Sequence, residues 1–196
     1  MDRRQKKTRE AVFNAFERLL ERRNYDSITV QEIIDEADIG RSTFYAHFET
    51  KDALLQAMCT DIFDHVFSPD LTKEATHDFS ASSPGLEPRL THILYHLQEK
   101  RPMLQGLLTE AAGGHFMKYF RLYLSEMFTG YLSMGSDTSD GAAFNDAPVS
   151  CPKDFLLHHA VTAFAETVRW WLCGESCNAA YSPEEVAGFY LSVMPG

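Results

Sequence analysis

Apolar residues in the first part of the chain recur at helical rather than alternating spacing. Val12, Phe13, Phe16, Leu19 and Leu20 fall on one side of a helix, with Arg9, Glu10, Glu17, Arg18 and Glu21 largely between them. Asn24-Tyr25-Asp26-Ser27 breaks that pattern. Thr29-Val30-Gln31-Glu32 then has the form of a capping box, in which Thr29 accepts from an orphan amide and Glu32 reaches back. A second helix is predicted to run from there to about Ala37. Asp38-Ile39-Gly40 interrupts it, and Arg41-Ser42-Thr43-Phe44-Tyr45-Ala46-His47-Phe48 reads as another brief helix with Phe44 and Phe48 on one side. Two short helices about a tight turn make a helix-turn-helix candidate. Thr50 is placed to cap the next helix, whose apolar stripe is Leu54, Leu55, Met58, Ile62, Phe63 and Val66 and which ends near Ser68-Pro69.

From Ser68 to Pro88 the chain turns to Ser, Thr, Asp, Pro and Gly, a linker composition. Leu90, Ile93, Leu94 and Leu97 then suit one helix, and Pro102 opens another bearing Met103, Leu104, Leu107 and Leu108, which Gly113-Gly114 is expected to stop. A further helix of about His115 to Leu132 is rich in aromatics, and the segment 133–151 reads as a long flexible connection. After Pro152, the residues Phe155, Leu156, His159, Phe164, Val168, Trp171 and Leu172 predict a long helix. Ser182-Pro183-Glu184-Glu185 caps a final one with Val186, Phe189 and Tyr190. No strand-like alternation and no internal repeat is present, so the fold class is all-α with about nine helices.

The 196 residues, 44% of them hydrophobic, bury a core without staples. No stretch approaches eighteen apolar residues, and Met1-Asp2-Arg3-Arg4-Gln5-Lys6-Lys7 lacks the apolar segment of a secretory signal, so a cytoplasmic protein without membrane association is expected. Cys59, Cys151, Cys173 and Cys177 are scattered, and free thiols are expected, with a redox switch between Cys173 and Cys177 as the alternative. The net charge of −10 is uneven: residues 1–60 carry ten Lys/Arg against eleven Asp/Glu, and 61–196 carry eight against seventeen. Total acidity therefore does not exclude a nucleic-acid partner for the first part. Arg3, Arg4, Lys6, Lys7 and Arg9 have the composition of a basic arm suited to phosphates, or of a solvated terminus.

The ordered set Thr29-Val30-Gln31-Glu32-Ile33-Ile34, Ala37 through Phe48, and Lys51-Asp52-Ala53-Leu54-Leu55 resembles the DNA-binding region of TetR-like transcriptional regulators. The resemblance implies a helix-turn-helix DNA-binding domain in residues 1–50, in three helices, joined to a helical ligand-binding and dimerisation domain in 51–196. Groove geometry agrees, since a major groove admits a helix whose polar side reaches base edges while its apolar side is locked to supporting helices. Phe44 and Phe48 would anchor such a helix, and Arg41, Ser42, Thr43, Tyr45 and His47 would face outward. Arg41 is the leading base reader, since its guanidinium matches guanine O6 and N7; a phosphate contact is the alternative. By resemblance Tyr45 meets backbone or base and His47 touches phosphate, the alternatives being Tyr45 packed on the first helix and His47 bonded to a carbonyl. Lys51 at a helix start would clamp phosphate, and Thr29 and Gln31 would contact the opposite side of the groove, although capping alone explains Thr29.

One such unit reads few base pairs, so a homodimer on a pseudo-palindromic double-stranded operator is expected. The resemblance implies that the last two helices form the interface between copies, with Phe164, Trp170, Trp171, Phe189 and Tyr190 as candidate residues. It also implies an unidentified small-molecule effector, for which His92, Tyr95, His96, Met103, Phe116, Tyr119, Phe120 and Tyr123 are candidate lining; helical core explains them as well. His92 and His96 share a helix face, yet without a third ligand no metal is expected, and no cofactor is implied. No glycine-rich phosphate loop or nucleophile elbow is present, so an enzyme is not expected. The function read from the sequence is a repressor released by a small molecule, the alternative being a DNA-binding protein of the same fold without an effector.

Overall fold

A computed structural model of the chain describes residues 3–68, 85–108, 113–134, 151–174 and 178–194. Within them lie nine α-helices and no strand: α1 (Arg3–Leu20), α2 (Val30–Glu36), α3 (Arg41–Tyr45), α4 (Lys51–Val66), α5 (Leu86–Glu99), α6 (Arg101–Leu107), α7 (Gly113–Met134), α8 (Lys153–Cys173) and α9 (Pro183–Val193). The all-α expectation holds. The 135–150 stretch of the expected flexible connection, most of the expected linker after Ser68, and Cys177 lie outside the described residues. Gly113 and Gly114 differ from expectation: they sit in the first turn of α7, and α6 has already ended at Leu107.

Packing divides the chain into two compact units, Met1–Ile62 with Lys100–Phe116, and Phe63–Glu99 with Met117–Gly196. In the first unit, α1 packs on α2 and buries Val12, Ala15, Phe16 and Leu20 at helical spacing, and Ile33, Ile34, Phe44 and Phe48 are buried in the same unit. Both expected caps at the start of α2 and α4 form: Thr29 Oγ1 accepts from the Glu32 amide at 3.2 Å, and Thr50 Oγ1 accepts from the Ala53 amide at 3.0 Å. Arg18 closes the other end of α2, donating to the Glu36 carboxylate at 2.6 Å and to the Glu36 carbonyl at 3.2 Å, where a cation also suits the helix C-terminus. The turn between α2 and α3 takes its left-handed residue at Asp38 (φ 51°), while Gly40 keeps an ordinary extended conformation as the N-cap of α3. Asp tolerates that region better than most side chains. Short helix α6 joins the same unit, with Met103, Leu104 and Leu107 buried, Gly106 against the end of α1, and Lys100 paired to Glu17 at 2.6 Å.

The second unit packs α5, α7, α8 and α9 around aromatic residues. Phe164 of α8 meets Phe120 of α7 at 6.4 Å and Tyr190 of α9 at 5.0 Å between centroids. Tyr190 is 1% exposed, and its hydroxyl donates to the Ala160 carbonyl at 3.0 Å, which satisfies the one polar atom the ring carries inward. Helix α9 begins with the expected capping box of Ser182 and Glu185. Tyr95 of α5 donates to Glu184 at 2.5 Å, and Trp171 of α8 donates to the Tyr181 carbonyl at 3.1 Å. At the end of α8 a Cβ on Gly174 would stand 1.8 Å from Asn178 Nδ2, so glycine lets Asn178 reach the Trp170 carbonyl at 3.1 Å.

Candidate nucleic-acid interface

Helix α3 is only five residues long and is held by its aromatic side. Phe44 is wholly buried, Phe48 is 3% exposed, and their rings lie 5.8 Å apart; Phe48 in turn meets Phe13 of α1 at 5.9 Å. Arg9 lies over the same pair of rings, 4.7 Å from Phe13 and 5.8 Å from Phe48, and reaches the Ala57 carbonyl at 3.5 Å. That cation is thus used inside the unit, whereas Arg3, Arg4, Lys6 and Lys7 are exposed on the opening turns of α1.

The opposite side of α3 is polar and open. Arg41 and Ser42 are exposed, Thr43 is half-buried, and Tyr45 is 44% exposed with its ring edge-on to Phe44 at 5.5 Å. The Arg41 guanidinium lies 5.7 Å from the Tyr45 ring centroid and donates to Gln31 Oε1 at 3.5 Å. Gln31 also donates to Asp35 at 2.8 Å. Gln31, Arg41 and Tyr45 therefore form one exposed row across α2 and α3. Thr29 is exposed too, but its hydroxyl is already shared with Glu32, to which it donates at 2.8 Å. His47 is half-buried, its ring 6.1 Å from that of Phe48.

Lys51, at the start of α4, is held from two sides. Its ammonium donates to the Tyr25 carbonyl at 2.8 Å and the Ile28 carbonyl at 2.7 Å, and it lies 4.1 Å from the centroid of the Tyr25 ring. Burial lowers its pKa, against the opposing pull of Asp26, Asp52 and Glu32. The Tyr25 hydroxyl donates to Asp52, and burial followed by that carboxylate pushes the phenol far above its usual range. Sequence reading missed this cluster. Its one signal was an aromatic residue within an otherwise polar break between helices.

The candidate effector residues are distributed over both compact units. Met103 and Phe116 belong to the first compact unit, the other six to the second. There His92 and His96 are buried with ring centroids 4.5 Å apart, and His65 lies 4.8 Å from His96. Phe120 and Tyr123 both meet Phe63 and Phe67, Tyr123 also donating to Asp64 at 2.6 Å, and Tyr119 is half-buried on α7. Among the described residues no three His, Cys, Asp or Glu are placed to hold a metal ion, and no helix is long and apolar enough to cross a membrane.

The candidate interface residues separate cleanly. Phe164 and Trp171 are wholly buried and Tyr190 nearly so, which corrects their assignment: they fill the core of their own chain. Trp170 and Phe189 are each 44% exposed, and Tyr181 stands between them, 6.0 Å from Trp170 and 5.2 Å from Phe189. Cys59 is buried and its thiol is pushed up to about 12 by desolvation, which makes it inert, while Cys173 is exposed.

Residues 13–58 match the sequence profile described as "Bacterial regulatory proteins, tetR family", and residues 86–194 match that of "Transcriptional regulator C-terminal region". The chain belongs to the TetR family. The first match takes in α2, the turn, α3 and the opening of α4, so the row Gln31, Arg41 and Tyr45 lies on the helix-turn-helix of this class of DNA-binding transcriptional regulators. A TetR transcriptional regulator from Streptococcus agalactiae 2603V is similar over 100% of this chain and 97% of its own, at 29% identity and a TM-score of 0.71. The dihydroxyacetone kinase operon activator DhaS shares the fold at 19% identity and a TM-score of 0.64, covering 95% of this chain and 93% of its own. The HTH-type transcriptional regulator YxbF of Bacillus subtilis is 42% identical over 71 residues, 34% of this chain and 19% of its own length. An HTH-type transcriptional regulator of Haemophilus influenzae is 31% identical over 101 residues, 50% of this chain and 51% of its own, so the chain spans about half or less of these two curated relatives.

Proposed function

We propose that this TetR-family protein is a homodimeric repressor that reads a pseudo-palindromic operator through residues 1–50 and is released by a small molecule bound in residues 51–196. The observation that carries the DNA-reading function is the exposed row of Gln31, Arg41 and Tyr45, seated by the buried Phe44 and Phe48. In it Arg41 reads guanine, a contact worth about 1–3 kcal/mol of discrimination, with Gln31 and Thr29 on the facing side of the groove and Ser42, Thr43, Tyr45 and His47 on bases or phosphates near it. Trp170 and Phe189, with Tyr181 between them, supply the aromatic surface that pairs two copies on half-sites about 34–36 Å apart or a multiple of that spacing.

The test is selection of duplexes from a random pool by the purified full-length chain, with its mass in solution measured alongside. Two related half-sites and twice the chain mass are expected. A monomer with no more duplex affinity than an unrelated acidic protein at matched ionic strength would overturn the proposal. Rebinding the selected duplex in fractionated metabolites tests release, since a ligand weakens DNA binding only by favouring the other conformation.

A second function, DNA binding without an effector, is favoured by the burial of His92, His96, Met103, Phe116 and Phe120. Failure of every metabolite fraction to raise the dissociation constant would select it.

A further inference from the structure

We infer that Asp35 is a positioning residue for base recognition: acting through the Gln31 amide, its carboxylate sets the orientation in which Arg41 is offered to the groove, and so how strongly one base pair of each half-site is preferred. The inference rests on the DNA-reading function proposed above.

Helix α2 carries three carboxylates, Glu32, Asp35 and Glu36. Glu32 pairs with Arg23 and Glu36 with Arg18, so both are engaged by cations in or just beyond the last turn of α1. Asp35 is exposed and instead accepts from Gln31 Nε2 at 2.8 Å, one helical turn away. An ionised carboxylate offers acceptors and no donor, so it takes the NH2 end of the amide and leaves the oxygen end for Arg41. Gln31 Oε1 accepts from Arg41 Nη1 at 3.5 Å, and the guanidinium lies 5.7 Å from the centroid of the Tyr45 ring. With the amide turned the other way, its NH2 group would oppose the guanidinium donor to donor.

The order of the row matters, because Gln31 bridges the carboxylate of Asp35 and the guanidinium of Arg41. A carboxylate bonded directly to Arg41 would hold it in a charge-assisted pair that a base must first break. The neutral amide holds it at the long end of hydrogen-bond range, which guanine O6 and N7 can displace. Without Asp35 the Gln31 amide is free to turn, and Arg41 loses the partner that fixes its approach. The Asp35 carboxylate also stands beside groups proposed to meet DNA, where its charge opposes phosphates whatever the sequence. Asp35 thus weakens binding to every duplex while sharpening the difference between duplexes, and specificity is that difference.

Full-length Asp35→Ala, Arg41→Ala and the double variant should be compared with wild type by fluorescence anisotropy at one fixed ionic strength. The duplexes are the selected operator, operators changed at one base pair at a time, and a scrambled sequence. Asp35 is exposed and alanine suits a helix better than aspartate, so the fold is retained. In Asp35→Ala, preference at the base pair that Arg41→Ala relaxes is expected to fall about tenfold, within the range of one lost base contact, with the other positions retained. The scrambled duplex is expected to bind Asp35→Ala no more weakly than it binds wild type. In the Arg41→Ala background the Asp35 substitution should change preference no further, because both act on one contact. Unchanged preference in Asp35→Ala, loss at a different base pair, equal weakening on every duplex, or additive losses in the double variant would each overturn the inference. Absence of any operator preference in the wild-type protein would instead overturn the DNA-reading function itself.

Discussion

Gly106 of α6 rests on the backbone of Leu20 so closely that a Cβ there would stand 1.9 Å from the Leu20 carbonyl oxygen and 2.9 Å from that of Arg23. The first is a carbonyl of the last turn of α1 and the second lies just beyond it; a helix end leaves acceptors without intrahelical donors, and a glycine allows the neighbouring helix to come down on them. Because the obstructing atoms are backbone, no rotamer change relieves the overlap. Gly106→Ala is therefore expected to destabilise the protein by about 1–3 kcal/mol, the usual cost of overpacking. Gly130 offers the control: it lies within α7, and a Cβ there would meet nothing within 4 Å. Gly130→Ala should stabilise by about 0.5–1 kcal/mol through the better helix propensity of alanine. Urea denaturation of both variants checks the pair, and equal effects of the same sign would contradict the packing described for Gly106.

Arg41 reaches from α3 to Gln31 of α2, which presents its guanidinium at the surface instead of spending it on a carboxylate. Arg41→Ala is expected to relax preference at one base pair of each half-site, by about 1–3 kcal/mol, with other positions retained. Repeating the duplex selection with the variant reads this directly. Uniform weakening without loss of preference at any position would mean that Arg41 touches phosphate.

The capping boxes of Thr29 with Glu32 and of Ser182 with Glu185 were legible in the sequence because both partners lie within four residues of each other. So were Phe44 and Phe48, whose four-residue spacing puts them on one face. Tertiary choices were not. Lys51 and Tyr25 are separated by α2, the turn and α3, and nothing local distinguishes a lysine aimed at solvent from one aimed at a carbonyl. In the α2 to α3 turn Gly40 is extended and Asp38 takes the left-handed conformation, a choice that Asp38-Ile39-Gly40 does not reveal by composition. The adjacent tryptophans show a nearer miss. Successive helical positions diverge by about 100°, so only one of them can join the stripe of Phe164, Val168 and Leu172, and Trp171 does.

That divergence separates two tryptophan phenotypes. Trp171→Ala removes a wholly buried ring and is expected to cost about 3–5 kcal/mol of folding stability. Trp170→Glu combined with Phe189→Glu alters two exposed rings and should leave the helical content intact. If these rings pair two copies, each substitution removes an interface anchor of about 2 kcal/mol or more, and sedimentation at micromolar concentration should register a monomer. An unchanged dimer in the double variant would move the interface elsewhere.

Glu32 makes the entry of α2 sensitive to acid. The Thr29 amide donates to its carboxylate at 2.8 Å, with Arg23 and the Thr29 hydroxyl adding further donors, and these lower its pKa from 4.5 to about 2. A carboxyl whose folded pKa is depressed binds protons more readily when the chain is unfolded. Its contribution is therefore complete above pH 4.5 and disappears as the pH falls toward about 2. Glu32→Gln keeps a side chain able to accept from the Thr29 amide but removes the charge that Arg23 and the amide stabilise. The variant should be less stable than wild type at pH 7, and the gap should close steadily between pH 4.5 and 2. Thermal melts of both proteins across that interval measure the gap, and a difference that stays constant with pH would show that the carboxylate charge at this cap contributes nothing.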